Sequence, residues 1–69
     1  MKSLIRYKAG TQVVIRNNNL VRKLGLDTVG TVLSDEPPTG FTMVVKFPEA
    51  GKNGKTIHPF RDGELQAIY

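Results

Sequence analysis

The chain has 69 residues, which is enough for one small domain with a single thin core. Ten Lys and Arg against six Asp and Glu give a net charge of +4, and the hydrophobic and charged fractions, 39% and 23%, are typical of a globular domain. The absence of cysteine excludes disulfides, thiolate metal sites and a cysteine nucleophile, and a single histidine excludes a multi-histidine metal site. No apolar run is long enough for a membrane span or a signal peptide, so we expect a cytoplasmic protein with no membrane partner.

Two parts are expected along the chain: an extended N-terminal arm over residues 1–9 and a barrel domain over residues 10–69. The domain begins with a predicted strand over residues 11–16. There Val13 and Ile15 alternate with polar side chains, in the period of two that indicates a half-buried strand. No window of ten or more residues shows a helical period, so the rest of the domain is expected to consist of strands and turns.

The first connection is expected to be a long loop over residues 17–27. It opens with Asn17, Asn18 and Asn19, and asparagine favours turns because its side chain competes for backbone hydrogen bonds. The apolar and basic stretch over residues 20–24 allows one helical turn. Loops on a rigid scaffold commonly recognise partners, so this loop is the first candidate for a binding site.

A second strand is predicted over residues 28–34, where Gly30 favours a bulge or a close backbone approach. Two prolines within residues 35–40 exclude helix and central strand, so this segment is a predicted turn. The third strand, over residues 41–47, shows the clearest alternation of apolar and other side chains. One predicted face carries Phe41, Met43, Val45 and Phe47, and the other carries Thr42, Val44 and Lys46.

Two further strands complete the predicted domain. The turn before the fourth strand contains Asn53-Gly54, which predicts a type I′ hairpin. The fourth strand is predicted over residues 55–58 and is expected to end at Pro59. A turn at residues 61–63 leads into the fifth strand, over residues 64–69. Five short strands and one long first loop predict an all-β fold, a single SH3-like five-stranded small barrel.

Four motifs lie on these strands: Gly10-x-x-Val13-x-Ile15, Val29-Gly30-Thr31-Val32, Val44-Val45-Lys46-Phe47 and His58-Pro59-Phe60-Arg61-Asp62-Gly63-Glu64-Leu65. In kind and order they resemble the SH3-like electron transport accessory proteins, which include a small accessory protein of photosystem I, the variable chain of ferredoxin–thioredoxin reductase and the NifZ proteins. The resemblance covers roughly residues 10–68. It implies a barrel that docks acidic ferredoxin-like or larger partners without catalysing a reaction. The Asn17–Asn19 triplet and the Pro37-Pro38 turn depart from that pattern.

Two other resemblances imply different functions. The first strand, followed by a loop and Gly30-x-Val32, is similar to the KOW motif of ribosomal and transcription-elongation proteins, which bind RNA or polymerase. Here the intervening loop is longer and lacks the Lys-Gly step of that motif. Ile57-His58-Pro59 is similar to the Gln-Ile-Tyr-Pro segment of the type II dihydrofolate reductases. In this chain Thr56 and His58 replace the glutamine and the tyrosine, which argues against that activity.

Positive charge is concentrated in the first half of the chain, because residues 1–34 carry +5 and residues 35–69 carry −1. A basic half usually meets an acidic protein, nucleic acid or an anionic surface. His58 lacks a recognisable catalytic partner, so we expect it to be structural and hydrogen-bonded to a backbone group or a carboxylate. The candidate partner-binding residues are Arg16, Asn17, Asn18, Asn19, Arg22, Lys23, Lys46 and Arg61.

Two hypotheses of function follow from these residues. The first is a non-catalytic binding module, an accessory or regulatory factor that docks an acidic protein partner through a basic loop and face. The alternative is a KOW-like barrel that binds RNA or DNA, which the shortage of exposed aromatic residues for base stacking disfavours. An enzyme of the type II dihydrofolate reductase kind is a third alternative. No catalytic residue, cofactor or metal site is predicted, and the chain is expected to be a monomer or a small homo-oligomer.

Overall fold

A computed structural model of the chain describes residues 7–68. Most of the arm predicted over residues 1–9, and the last residue of the predicted fifth strand, lie outside the described residues. Each of the five strands overlaps its predicted segment, and one helix lies between the first two. The elements are β1 (Gln12–Ile15), α1 (Asn18–Leu24), β2 (Gly30–Val32), β3 (Met43–Lys46), β4 (Ile57–Phe60) and β5 (Leu65–Ala67).

The five strands form one antiparallel sheet in the order β4-β3-β2-β1-β5. The first four strands follow one another as a meander, and β5 returns to pair with the other edge of β1, where Ile15 lies opposite Leu65. All five strands therefore contribute to one core. This arrangement confirms the predicted all-β, five-stranded, barrel-like domain with a long first connection.

One face of the sheet, here called the inner face, carries the core. The third-strand prediction is confirmed for Met43, Val45 and Phe47, which are all buried, whereas Phe41 is half-buried. Phe47 and Phe60 meet edge to face, with ring centroids 6.0 Å apart, a geometry that aromatic pairs favour. The buried core cluster consists of Val13, Ile15, Leu26, Val32, Met43, Val45, Phe47, Phe60 and Leu65.

Gly30 at the start of β2 is closely packed, but by side chains and not by the predicted bulge or close backbone approach. A Cβ atom at this position would lie 2.5 Å from Cγ1 of Val45 and 2.9 Å from Cε1 of Phe47. Side chains of β3 and of the residue after it thus occupy the space that any larger residue would need. Because protein interiors are packed as densely as organic crystals, the local packing of β2 against β3 depends on glycine here.

β4 continues through Pro59 to Phe60, so the prediction that Pro59 ends the strand is wrong. The N–H of Phe47 donates to the carbonyl of Thr56 at 2.8 Å. In an antiparallel pair the hydrogen-bonded positions recur at every second residue, so the next ones on β4 are residues 58 and 60. Pro59 lies between them, so its nitrogen points away from β3. Because β4 is an edge strand, a residue without an N–H is tolerated at that position.

The turn before β4 is present, but its predicted type I′ geometry is wrong. Among the described residues, positive φ angles occur only at glycines, so Asn53 lacks the positive φ that a type I′ turn requires. The N–H of Gly54 instead donates to the carbonyl of Gly51 at 2.9 Å, and Gly54 itself has φ +75°. The Oδ1 of Asn53 accepts a hydrogen bond from the N–H of Lys55 at 3.2 Å, which closes the turn from its side chain.

The long first connection contains a seven-residue helix, which includes the helical turn allowed over residues 20–24 but begins earlier, within the asparagine triplet expected to form a loop. Asn17 is extended, with φ −85° and ψ 115°, and its Oδ1 accepts from the N–H of Asn19 at 2.9 Å. Gly25 ends the helix with φ +69°, and its N–H donates to the carbonyl of Val21 at 2.8 Å. Asparagine is unfavourable inside helices but is among the best N-cap residues, so the triplet starts the helix.

Candidate partner-binding surfaces

Helix α1 packs one side against the core and turns the other side away from it. Leu20, Val21 and Leu24 are partly buried against the core cluster. Arg22 and Lys23 lie in the last turn of the helix and are exposed. The apolar stripe thus fixes the orientation of α1, and the two predicted cations project from it without packing into the core.

A third cation reaches the same end of α1 from the connection between β3 and β4. The backbone N–H of Lys52 donates to the carbonyl of Leu24 at 2.7 Å. The Lys52 side chain runs along Gly25, where a Cβ atom would lie 2.8 Å from the Cγ of Lys52. We call Arg22, Lys23 and Lys52 the helix-end cluster.

Sequence reasoning missed Lys52 because it lies 29 residues after Lys23 in the chain. Its neighbour Gly51 is the one local signal. A Cβ atom at Gly51 would collide with the carbonyl oxygen of Leu24, so the two backbones approach each other there only because residue 51 is glycine. The sequence does not show which segment packs against Gly51, because that contact depends on the tertiary fold.

The remaining candidates of the first connection lie at the other end of α1. Arg16, Asn18 and Asn19 are exposed, and the side-chain oxygen of Asn17 is occupied by the helix cap. The N–H of Arg16 donates to the carbonyl of Glu64 at 2.8 Å, which places Arg16 beside the turn that leads into β5. A helix of this length spans about 10 Å, so these residues and the helix-end cluster occupy separate places.

Arg61 has contacts that give it a structural role. Its Nε donates to the carbonyl of Gly40 at 3.0 Å, and its guanidinium carbon lies 5.4 Å from the ring centroid of Phe41. Its backbone N–H donates to Oε1 of Glu64 at 2.7 Å. Arg61 therefore ties the connection between β2 and β3 to the turn between β4 and β5, and it does not join the helix-end cluster.

Lys46 lies on the face of the sheet opposite the core, here called the outer face. It is exposed at the end of β3, directly opposite Thr31 on β2 and Ile57 on β4. Since α1 packs against inner-face residues, Lys46 and the helix-end cluster lie on different sides of the sheet. The eight predicted residues therefore occupy several separate places and do not form one site.

The outer face also exposes large apolar side chains, which sequence reasoning did not single out. Ile57, Val29 and Ile68 are 45%, 40% and 39% exposed. The alternation of each strand taken alone does not show that Ile57 and Ile68 belong to one row, because that requires the register of all five strands. A row of directly paired residues crosses the sheet, and we call it the outer-face row: Ile68, Gln12, Thr31, Lys46 and Ile57.

His58 is buried on the inner face, with 4% of its surface exposed. Its Nε2 lies 3.0 Å from the carbonyl oxygen of Lys55, and its ring packs against Phe47 and Phe60 with centroid distances of 6.2 and 6.4 Å. The predicted structural role, with a hydrogen bond to a backbone group, is confirmed. A histidine closed off in this way has no open side on which a substrate could be placed.

Within residues 7–68, no group of three or more His, Asp or Glu side chains is placed to hold a metal ion. The one helix in that range is also too short to cross a membrane. Comparison with known proteins gives no match to any protein-family model, curated protein or solved structure.

Proposed function

We propose that this domain is a non-catalytic binding module that docks an acidic protein partner, as an accessory or regulatory factor. The observation that carries the proposal is the helix-end cluster. Arg22 and Lys23 project from a helix anchored on the core, and the backbone of Lys52 is bonded to the same helix end. Cations held on a fixed scaffold favour an anionic partner because little conformational freedom is lost when the partner binds.

The helix dipole gives this cluster a structural role as well. Cations in the last turn of a helix interact favourably with its dipole, typically by about 0.3–1 kcal/mol each. Such an effect accounts for Arg22 and Lys23 as stabilising residues of α1. The same effect applies to Lys52, because its side chain runs along Gly25 at the same helix end. A stabilising role and a binding role are therefore separated by measuring both the stability and the binding of the same charge-reversal variants.

The aromatic residues support a protein partner over single-stranded nucleic acid. Proteins that bind single strands stack bases on exposed aromatic rings. Phe47 and Phe60 are buried, the guanidinium of Arg61 lies over Phe41, and Tyr7 packs against the core. The part of the chain described by the structure therefore offers few open ring faces for stacking.

The test is a fluorescence-anisotropy titration of the full chain against labelled poly-L-glutamate and against labelled random DNA and RNA, at low and moderate salt. We expect binding to poly-L-glutamate that the double variant R22E/K23E weakens by at least about tenfold. The matched control is K8E/K55E, which changes two exposed lysines that belong to neither candidate surface. Each double variant lowers the net charge from +4 to zero. Circular dichroism of each variant checks that the fold is kept.

Equal losses of poly-L-glutamate binding in the two double variants would show that binding depends on net charge and not on the helix-end cluster. Tighter binding to DNA or RNA than to poly-L-glutamate, with a steep decrease as salt is raised, would favour the nucleic-acid alternative. No binding to any of the three probes at low salt would contradict both hypotheses for this surface.

A further inference from the structure

We propose that the outer face of the sheet is a second interaction surface, which binds a protein segment with apolar side chains around a carboxylate. This inference rests on the proposed function only in taking the partner to be an acidic protein. It uses a different side of the molecule, because α1 lies against the inner face and the outer-face row does not.

The register of the sheet defines the surface. Gln12 pairs with Thr31, and Thr31 pairs with Lys46, which pairs in turn with Ile57. The N–H of Ile68 donates to the carbonyl of Gln12 at 2.8 Å, which completes the row on the β5 side. Neighbouring strands lie about 4.8 Å apart, so the row follows the sheet for about 19 Å. An isoleucine stands at each end, and polar side chains stand between them.

A shallow depression lies at the middle of this row, between its two isoleucines. It has a volume of about 380 Å³ and is lined by the three polar side chains of the row together with Val29, Leu33, Phe47 and Pro48. Val29 follows the same alternation as Thr31 and is 40% exposed, so it extends the apolar surface beyond the row. Val29, Leu33 and Pro48 line the same depression, and neighbouring exposed apolar side chains of this kind indicate an interaction surface, whereas single ones do not.

Charge identifies the partner. Lys46 is the one charged side chain both in the row and in the lining of the depression, and neither contains a carboxylate. A second copy of the chain would therefore enclose two Lys46 ammonium groups with no counter-charge, and each copy carries a net charge of +4. Burying an unpaired charge is costly, whereas a partner carboxylate neutralises it. An acidic segment with apolar neighbours satisfies both parts of the surface.

The test is selection of phage-displayed random peptides on the full chain and, in parallel, on the K46E variant. Peptides selected on the wild type should carry Asp or Glu flanked by apolar residues. Those selected on K46E should carry Lys or Arg at the same position. Each peptide should prefer its own protein by at least about tenfold in fluorescence anisotropy. NMR amide shifts should map the wild-type peptide to Thr31, Lys46 and Ile57.

Three variants separate this inference from the proposed function. I57T should weaken binding of the selected peptide. Because Ile57 is exposed, this change leaves the core intact. R22E/K23E should leave peptide binding within about twofold, since the helix-end cluster is elsewhere. K8E, which changes the charge but not the row, should do the same. If R22E/K23E abolishes binding and I57T does not, the peptide binds α1; the outer-face inference then fails and the proposed function stands.

Self-association would also overturn the inference. If sedimentation velocity shows a dimer at micromolar concentration that I57T dissociates, the outer face binds a second copy. Failure to enrich any peptide, or the same consensus on the wild type and on K46E, would equally contradict the assignment. The expected result on the wild type is a monomer by sedimentation, with a peptide consensus that follows the sign of residue 46.

Discussion

The inner and outer faces of the sheet are built by alternate residues of the same strands, yet they differ in what surrounds each side chain. On the inner face Val13 and Val45 are fully buried and Phe47 is 1% exposed. On the outer face Ile57 is 45% exposed beside Lys46. Val44 on the outer face is buried as well, with 7% of its surface exposed, so the contrast holds for the exposed outer-face side chains and not for every one.

This difference separates residues that the fold requires from residues that it does not. An inner-face side chain is constrained by volume, because the surrounding atoms leave no free space. An exposed isoleucine on the outer face contributes little to folding beyond its strand preference. Under the outer-face inference, a partner covers the apolar residues at such positions.

The sharpest test of the comparison removes one large apolar side chain from each face. Phe47→Ala opens a cavity in the core and should lower the free energy of unfolding by about 3–5 kcal/mol. A single core in a domain of this size supplies on the order of 3–5 kcal/mol in total, so this variant should be largely unfolded at 25 °C. Ile57→Ala should change the stability by less than about 0.5 kcal/mol. Urea denaturation followed by circular dichroism measures both.

A large loss of stability in Ile57→Ala would break the comparison. It would mean that the outer face is already covered within the folded chain, and that it is a second core layer with no site for a partner. A small loss in Phe47→Ala would mean that the remaining side chains collapse into the space left by the ring.

A second variant adds volume to the inner face. Gly30→Ala places a methyl group against Val45 and Phe47 and should cost about 1–3 kcal/mol through overpacking. The matched control, Thr31→Ala, lies one residue away on the outer face and should stay within about 0.5 kcal/mol of the wild type. The measurement is again urea denaturation.

A double-mutant cycle with Val45→Ala identifies the cause. If the methyl group collides with Val45, the loss in the double variant is smaller than the sum of the two single losses by about 0.5–3 kcal/mol. Additive losses would show that the alanine is accommodated without contacting Val45, and the requirement for glycine at position 30 would then need another explanation.

Alternation along the chain predicted the strands because it is a local property. A few residues of alternation indicate the buried face of a strand, as they do at Val13 and Ile15 and again at Met43, Val45 and Phe47. At Gly30 the local pattern indicated that glycine was needed, but not that side chains of β3 and of the residue after it fill the space, because that depends on the strand pairing. Pro59 was misjudged because its tolerance depends on β4 being an edge strand, which is a property of the whole sheet.

The two candidate surfaces could be predicted only in part. Arg22 and Lys23 are adjacent in sequence and were found, but Lys52 joins them through a backbone contact between distant segments. The outer-face row draws on β1, β2, β3 and β4 and on the residue after β5, so it exists only once the register is known. Lys46 was predicted from its charge. Ile57 and Ile68 were not, because an exposed isoleucine cannot be distinguished from a core isoleucine by residue type.

The smallest expected effect concerns α1, which covers part of the inner face and carries the helix-end cluster. Asn17→Ala removes the side-chain oxygen that accepts from the N–H of Asn19 and should cost about 1 kcal/mol. Asn18→Ala, the neighbouring control, removes no cap and places a better helix former in the first turn, so it should leave stability unchanged or slightly raised. Because Leu20, Val21 and Leu24 tie α1 to the core, loosening the cap should also weaken poly-L-glutamate binding modestly in the first variant alone. Equal effects of the two variants on stability and binding would contradict the assignment of Asn17 as the cap.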